Sequence, residues 1–179
     1  MGCVGPVYYN MFSHTFERPR VYERIDENCM AVKNIITSSM MCNYGDLKDL
    51  NFWNEKIFLD MADWDLCWRM KRNGKICCMI ENIILEHSVG EGKKKIGFIG
   101  IHMWKPIRDY YQTRDGLSLI KEKYTPIRLK FRIICMIFVR PIIYMLIAKD
   151  KKLRMKYIMK GIHDYKVGCF GEFREKEKV

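Results

Sequence analysis

The apolar positions of this chain run first in short extended stretches and later at helical intervals. Val4-Gly5-Pro6-Val7-Tyr8-Tyr9 is β-favouring apart from its Gly-Pro pair and predicts a strand over residues 1–9. Residues 10–31 are polar and show no period, which predicts an irregular surface loop. Between Lys33 and Asn43, the run Ile35-Ile36-Thr37 leads into Ser38-Ser39, either of which suits the cap of a short helix. Leu47 and Leu50, three apart, place such a helix over residues 44–51. Over residues 63–73 the pattern is stronger. Trp64, Leu66, Cys67, Trp68 and Met70 are apolar, Arg69, Lys71 and Arg72 point outward, and Gly74 stands where a helix C-terminal glycine belongs.

Beyond Gly74, Lys75–Glu81 and Ile83–His87 predict two short extended segments, and residues 90–95 a mobile Gly/Lys loop. Ile107, Tyr110, Tyr111, Leu117, Ile120 and Tyr124 recur at helical spacing and predict an amphipathic helix over residues 107–123. Pro126 punctuates the chain, and residues 127–148 predict a second helical block, broken or kinked at Pro141. Residues 149–160 continue basic and helical, and Gly161, Gly168 and Gly171 predict a loop-like tail.

At 179 residues the chain has one domain's usual length and is long enough for a real core. A hydrophobic fraction of 49% excludes a disordered chain. None of the eight cysteines forms a C-x-x-C pair, and Met1–Pro6 lacks the basic and apolar regions of a secretory leader, so reduced thiols in a cytosolic protein are expected. The net charge of +11 is concentrated: residues 121–160 hold twelve basic and two acidic side chains. That block is also the most apolar part of the chain, a combination that suits the surface of an anionic membrane better than a nucleic acid. Its apolar run, residues 133–148, is 16 long and interrupted by Arg140-Pro141, too short for a span of about 20 residues. An interfacial, kinked pair of amphipathic helices fits better, with Lys and Arg at 128, 130, 132, 149, 151, 152, 154, 156 and 160 facing the leaflet. The plainer alternative is a basic helix that covers the domain core, with its Lys and Arg stems lying along the apolar face.

The densest chemistry lies in Asn54–Arg69. Asp60, Asp63 and Asp65 fall within six residues, among Phe58, Leu59, Trp64, Leu66 and Trp68. Carboxylates near apolar surface cost free energy unless they are paired, metal-bound or needed. Asp65 and Arg69 stand in the favourable order for an i, i+4 pair, a structural role. Asp60 and Asp63 also suit plain helix N-terminal acids.

In order and spacing, Trp53-Asn54-Glu55-Lys56-Ile57-Phe58-Leu59-Asp60-Met61-Ala62-Asp63-Trp64-Asp65-Leu66-Cys67-Trp68-Arg69, then Gly74, resembles the C-terminal half of the family 2 glycosyltransferases of GT-A type, in the bacterial rhamnosyltransferase-like branch. The resemblance extends upstream to Ile36-Thr37-Ser38-Ser39, where that family often has Ser-Gly. Downstream it takes in Glu86-His87-Ser88-Val89-Gly90 and Ile107-Arg108-Asp109-Tyr110-Tyr111-Gln112-Thr113-Arg114-Asp115. It implies an α/β fold: a partial GT-A domain over residues 1–125, lacking its N-terminal nucleotide-binding half, with a C-terminal helical membrane-associating segment over residues 126–179.

By the same resemblance, Asp63 is the base that takes the proton of an acceptor hydroxyl. Thr37, Ser38, Trp64, Arg108, Tyr111 and Arg114 would line the acceptor side. His87 would help hold the divalent metal, Mg²⁺ or Mn²⁺, of a nucleotide-sugar donor. The implied reaction moves a sugar, rhamnose in that branch, to a lipid-linked or polysaccharide acceptor of the cell surface, at the inner face of the cell membrane.

The chain departs from the pattern at three points. Ala62 replaces the Glu before the base, Asp115 replaces the usual Asn, and nothing before Asp60 supplies the metal-holding Asp-x-Asp. Asp63-Trp64-Asp65 spells those letters but aligns with the base-bearing helix. Two competitors stand beside the enzyme: a non-catalytic remnant or membrane-docking partner subunit, and a nucleic-acid module. The second is disfavoured, because the basic block lacks the stacking aromatics of single-strand platforms. Alone, His87 reads as an ordinary hydrogen-bonded histidine, and Trp64 as core.

Overall fold

The computed structural model describes residues 1–11, 13–87, 93–96, 99–102, 105–148 and 150–174. The chain divides into two compact units, one of Met1–Trp53 with Asp63–Lys105, the other of Asn54–Ala62 with Pro106–Val179.

The first unit is built around β1 (Cys3–Asn10). Two short strands share one of its edges: β5 (Met41–Cys42) pairs with its start, Cys3 against Cys42, and β2 (Thr15–Glu17) with its end, Tyr8 against Glu17. On the other edge β6 (Cys77–His87) runs parallel to β1, followed by antiparallel β4 (Cys29–Val32) and β3 (Val21–Arg24). Residues 10–31, expected to be an irregular loop, thus supply three strands. β3 is exposed at all four positions and β4 is buried at all four, so neither shows the alternation that marks a half-buried strand.

The segments read as 75–81 and 83–87 are one strand. Its ladder with β1 jumps from the pair Pro6–Ile80 to the pair Val7–Ile84, leaving Glu81, Asn82 and Ile83 out of register. Pro6 has no N–H to donate, and a bulge is where a sheet tolerates proline. Within the 90–95 stretch, expected to be a mobile loop, Lys93–Ile96 forms β7, paired with β8 (Ile99–His102). Ser88, Val89 and Gly90, part of the resemblance, lie outside the described residues.

Helix α1 (Tyr44–Asp49) starts at Asn43, whose Oδ1 accepts the Asp46 N–H at 3.1 Å. Neither Ser38 nor Ser39 caps it. They form a turn in which Ser39 takes φ 59°, a left-handed conformation that explains why a glycine suits this place in the family pattern. Helix α2 (Ala62–Arg72) ends as read from the sequence. Gly74 (φ 70°) donates to Lys71 and Lys75 donates to Met70, the two bonds of a Schellman motif. The core packs Leu66, Cys67 and Met70 of α2 against Cys3 and Val7 of β1, Met30 and Val32 of β4, and Cys77 and Met79 of β6.

All eight cysteines are free. Cys3, Cys29, Cys67, Cys77 and Cys78 are at most 4% exposed, whereas Cys169 is open to solvent. Hydrogen bonds to Cys67 and Cys77, and burial, push the Cys3 thiol far above the usual range. Alkylation of the native protein is therefore expected to modify Cys169 rapidly, Cys42 and Cys135 more slowly, and the other five only after unfolding. Thiol counting by mass spectrometry checks this; early labelling of Cys67 would contradict the packing.

In the second unit, α3 (Ile107–Lys121) packs against α5 (Lys151–Val167) and α4 (Ile127–Ile147). By contact α3 groups with α4 and α5. Its expected amphipathic pattern is not what the structure has. Asp109, Gln112, Thr113, Arg114, Asp115 and Ser118 are buried with its tyrosines. Each charge has a partner in the interior. Asp109 pairs with Arg154 of α5 at 2.7 Å, and the Tyr110 hydroxyl donates to Asp164 at 2.8 Å. Arg154, expected among the leaflet-facing cations, is 3% exposed and belongs to the core.

Pro141 lies inside α4 without ending it. Arg140 turns inward, donating to Gln112 and lying 4.9 Å from the ring centroid of Tyr144. Gly161, expected in a loop-like tail, is mid-helix. A Cβ there would stand 2.7 Å from the carbonyl oxygen of Tyr110, so only glycine lets α5 approach α3 this closely. Gly168, in contrast, does close α5, in the left-handed conformation (φ 73°).

Candidate active site

In open α/β sheets, ligands bind beyond the carboxyl ends of parallel strands, where adjoining helix N-termini also point. The parallel pair here is β1 and β6, and their carboxyl ends bring Asn10 opposite His87 and Tyr8 opposite Leu85. Helix α2 runs back along β1. A Cβ on Gly2, at the start of the chain, would meet Met70 Sδ at 2.9 Å, while Asp63, in the first turn of α2, acts electrostatically on Tyr8 near the strand's end. Asp63 therefore lies within electrostatic reach of Tyr8 in the second half of β1.

Asp63 is half-buried. Its Oδ1 accepts the backbone N–H of Trp64 at 2.8 Å, one of the donors left open at a helix start. The Tyr8 hydroxyl donates to Glu17 Oε2 at 3.4 Å, and Asn10 Nδ2 donates to Glu17 Oε1 at 2.7 Å. Burial, then the charges and hydrogen bond of Glu17, then Asp63, push the Tyr8 phenol up to about 12. Tyr8 therefore stays a neutral hydroxyl at physiological pH, its one proton directed to Glu17. The His87 ring meets Tyr8 edge-on, with centroids 6.4 Å apart. Beside Tyr8 is a hollow of about 70 Å³, lined by Pro6, Arg18, Asn34, Ile35, Ile36 and Met79 as well. It has room for part of a ligand, not for a whole sugar nucleotide.

The structure brings some of the expected residues together and separates others. Asp63, Trp64 and His87 belong to this unit; Trp64 is half-buried, tilted against Trp68 at 6.2 Å. Thr37 and Ser38 follow the hollow's Asn34–Ile36 wall in the chain, but neither lines it. Arg69 holds Asp65 at 2.8 Å, as the i, i+4 spacing indicated. Arg69 also donates to the carbonyls of Leu50 and Phe52, at 2.9 and 2.8 Å.

Arg108, Tyr111 and Arg114 have other work, inside the second unit. Arg108 Nε donates to Asp60 Oδ1 at 2.8 Å, Tyr111 stacks on Phe58 with centroids 5.1 Å apart, and Asp115 Oδ2 accepts the Phe58 N–H at 2.9 Å. The two motifs, read separately along the chain, interlock: α3 clasps the segment 54–62. Arg114 departs furthest from its expected place on the acceptor side. It is 0% exposed, bonded to Asp115, to the Tyr110 hydroxyl and to the Gly171 carbonyl, and has no surface to offer a ligand. Tyr8, Asn10 and Glu17 were missed by sequence reasoning. Glu17 lay in the supposed loop, and no spacing signal ties it to Tyr8.

Among the described residues, none joins His87 in a three-ligand group for the divalent metal. Among the described residues, the one group of three ligating side chains with donor atoms within 4.8 Å of each other is Cys3, Cys67 and Cys77. Those thiols are soft ligands in the hydrophobic core, and Mg²⁺ or Mn²⁺ prefers oxygen. They lend nothing to a metal at His87.

Compared with known proteins, the chain is similar to the dTDP-rhamnosyl transferase RfbF of Shigella flexneri, 26% identical over 127 residues. The match takes in 71% of this chain and 42% of that protein, so the chain spans less than half the length of this curated relative. No family model matches the chain, and no solved structure does. The likeness supports a relationship to rhamnosyltransferases.

Proposed function

We propose that this chain is the acceptor-side part of a family 2, GT-A-type glycosyltransferase. It would move a sugar, rhamnose by analogy with the Shigella protein, from a nucleotide-sugar to a lipid-linked or polysaccharide acceptor in cell-surface glycan synthesis. The observation that supports the reading is Asp63 itself: half-buried, in the first turn of α2, and close enough to Tyr8 of β1 to act on its hydroxyl.

In this proposal Asp63 takes the proton of the acceptor hydroxyl as its oxygen attacks the anomeric carbon. The bond from that carbon to the donor phosphate breaks, and the nucleoside diphosphate departs with the electron pair. A sugar hydroxyl is a poor nucleophile, and such proton removal contributes roughly 10²- to 10⁴-fold. Tyr8, its proton held by Glu17, offers its hydroxyl oxygen as an acceptor to a ligand hydroxyl near Asp63, and Trp64 offers an apolar wall. For a divalent ion the proposal extends to His87 as a single protein ligand, with donor oxygens filling the rest; no step depends on it.

A second reading rests on Ala62, which stands where the resembled pattern has the Glu before the base. It takes the chain as a non-catalytic partner of a separate nucleotide-binding half. Titration with dTDP-rhamnose and a transfer assay on a lipid-linked acceptor preparation separate the two. Saturable donor binding and labelled product are expected for the enzyme. Acceptor binding without donor binding supports the partner reading. Binding of neither donor nor acceptor refutes the transferase interpretation.

A further inference from the structure

Helix α4 has a second face that its own unit does not use. Leu129, Ile133, Ile137 and Tyr144 turn inward and are at most 5% exposed. Around the other side, Ile127, Phe131, Ile134, Phe138, Ile142 and Leu146 are 79%, 70%, 38%, 60%, 64% and 77% exposed. Their spacing of i, i+4, i+7, i+11, i+15 and i+19 makes one stripe along the helix, about 28 Å long at 1.5 Å per residue. A helix packed on one side of a water-soluble unit ordinarily carries polar residues at those positions. Single exposed apolar residues need no explanation, but a continuous stripe of them marks an interaction surface.

The flanks of the stripe say what kind. At 100° per residue, Arg128 and Arg132 fall on one side and Lys130 on the other. Arg128 and Arg132 are exposed and Lys130 half-buried. The helix has no acidic residue from Ile127 to Ile147. Further exposed lysines follow on α5 at 151, 152 and 156. Two copies of this face brought together would set cation against cation with no carboxylate on either helix to neutralise them. A surface that is apolar inside and anionic at its rim is the complement, which describes the boundary between acyl chains and acidic headgroups. Among the described residues, no helix is long and apolar enough to cross a membrane. Contact in the plane of the surface is the geometry left for this stripe.

We propose that the exposed stripe of α4 docks in the plane of an anionic lipid bilayer, with Ile127–Leu146 sunk to the acyl boundary and Arg128, Lys130 and Arg132 among the headgroup phosphates. The proposal is independent of the sugar-transfer reading, because it rests on α4 alone. The cations assigned to it exclude Arg140 and Arg154, which the structure turns into the core.

Sedimentation of the full chain with extruded vesicles tests it. One set is phosphatidylcholine and the other carries about one-third phosphatidylglycerol. The chain is expected to pellet with the anionic vesicles and much less with the neutral ones. Replacing Phe131 and Phe138 together by serine is expected to lower the partition coefficient at least about tenfold. Circular dichroism should be unchanged, because both side chains are exposed. Arg128→Gln with Arg132→Gln is expected to lower it about thirtyfold, at roughly fivefold per cation. Recovery of the folded chain in the supernatant with both vesicle types overturns the proposal, as does binding indifferent to the two phenylalanines. A concentration-dependent dimer in ultracentrifugation, dissolved by the phenylalanine pair, overturns it in favour of a second copy on this face.

Discussion

Replacing Asp115 by alanine is expected to destabilise the folded chain by about 3–5 kcal/mol, the usual consequence of stranding one member of a buried ion pair. Asp115 is 1% exposed and Arg114 is 0% exposed, so neither charge has water to fall back on. The carboxylate accepts Arg114 Nε at 2.7 Å and the Phe58 N–H at 2.9 Å. Without it the guanidinium keeps the Tyr110 hydroxyl and the Gly171 carbonyl, both neutral acceptors that leave the positive charge uncompensated. The Phe58 N–H is stranded as well, and the segment 54–62 keeps the Arg108–Asp60 pair, the Phe58–Tyr111 stack and the Asn54–Tyr124 hydrogen bond.

Urea denaturation followed by circular dichroism measures the loss, and limited proteolysis reads out the loosened segment. Asp115→Asn is expected to lose less, because an amide oxygen still receives the Phe58 N–H; the family pattern has Asn at this place. Leucine at both 114 and 115 is expected to recover part of the loss, since it removes the stranded charge along with its partner. Equal destabilisation by Asp115→Ala and by the double leucine variant would show that the ion pair is not the cause.

That cluster also shows where the sequence stops being readable. The existence of α3, α4 and α5 follows from apolar spacing, and the end of α2 from Gly74. Which polar residues are buried does not follow. Thr113, Arg114 and Asp115 look like a solvated face until Gly171 and the segment 54–62 are seen to close over them. Arg114 reaches Gly171 and Asp115 reaches Phe58, each 57 residues away, and no periodicity carries that information. Gly161 reads as a helix breaker because propensity is local; its reason is the backbone of Tyr110 on another helix. β2, β3 and β4 were lost for the opposite cause. They are too short, too exposed or too uniformly buried to alternate. In the candidate site, Asp63 stands out in the sequence by its company of acids and aromatics. Tyr8 and Glu17 do not, since a strand end and its hairpin return meet only once the register is known.

Asp63→Asn is expected to lower sugar transfer by about 10²- to 10⁴-fold, the range of a positioned general base, with little change in unfolding midpoint. The neighbouring carboxylate provides the control. Asp65 lies two residues on along the same helix, about 200° around it, so the two side chains face nearly opposite ways. Asp65 is 1% exposed and bound to Arg69, which in turn holds the carbonyls of Leu50 and Phe52. Phe52 and Asn51 both take φ 58°, a conformation costly for such residues, so the bend they make leans on that arginine. Asp65→Asn is therefore expected to destabilise by about 1.5–3 kcal/mol, the range for a hydrogen bond to a charged group. In the residual folded fraction it should leave transfer per molecule nearly intact.

The two variants separate chemistry from scaffold, because they change the same atoms on the same helix while the two carboxylates face different ways and hold different partners. Unimpaired turnover in folded Asp63→Asn removes Asp63 from the reaction. Parallel losses of stability and turnover in both would make Asp63 one more helix-start acid, its oxygen spent on the Trp64 N–H.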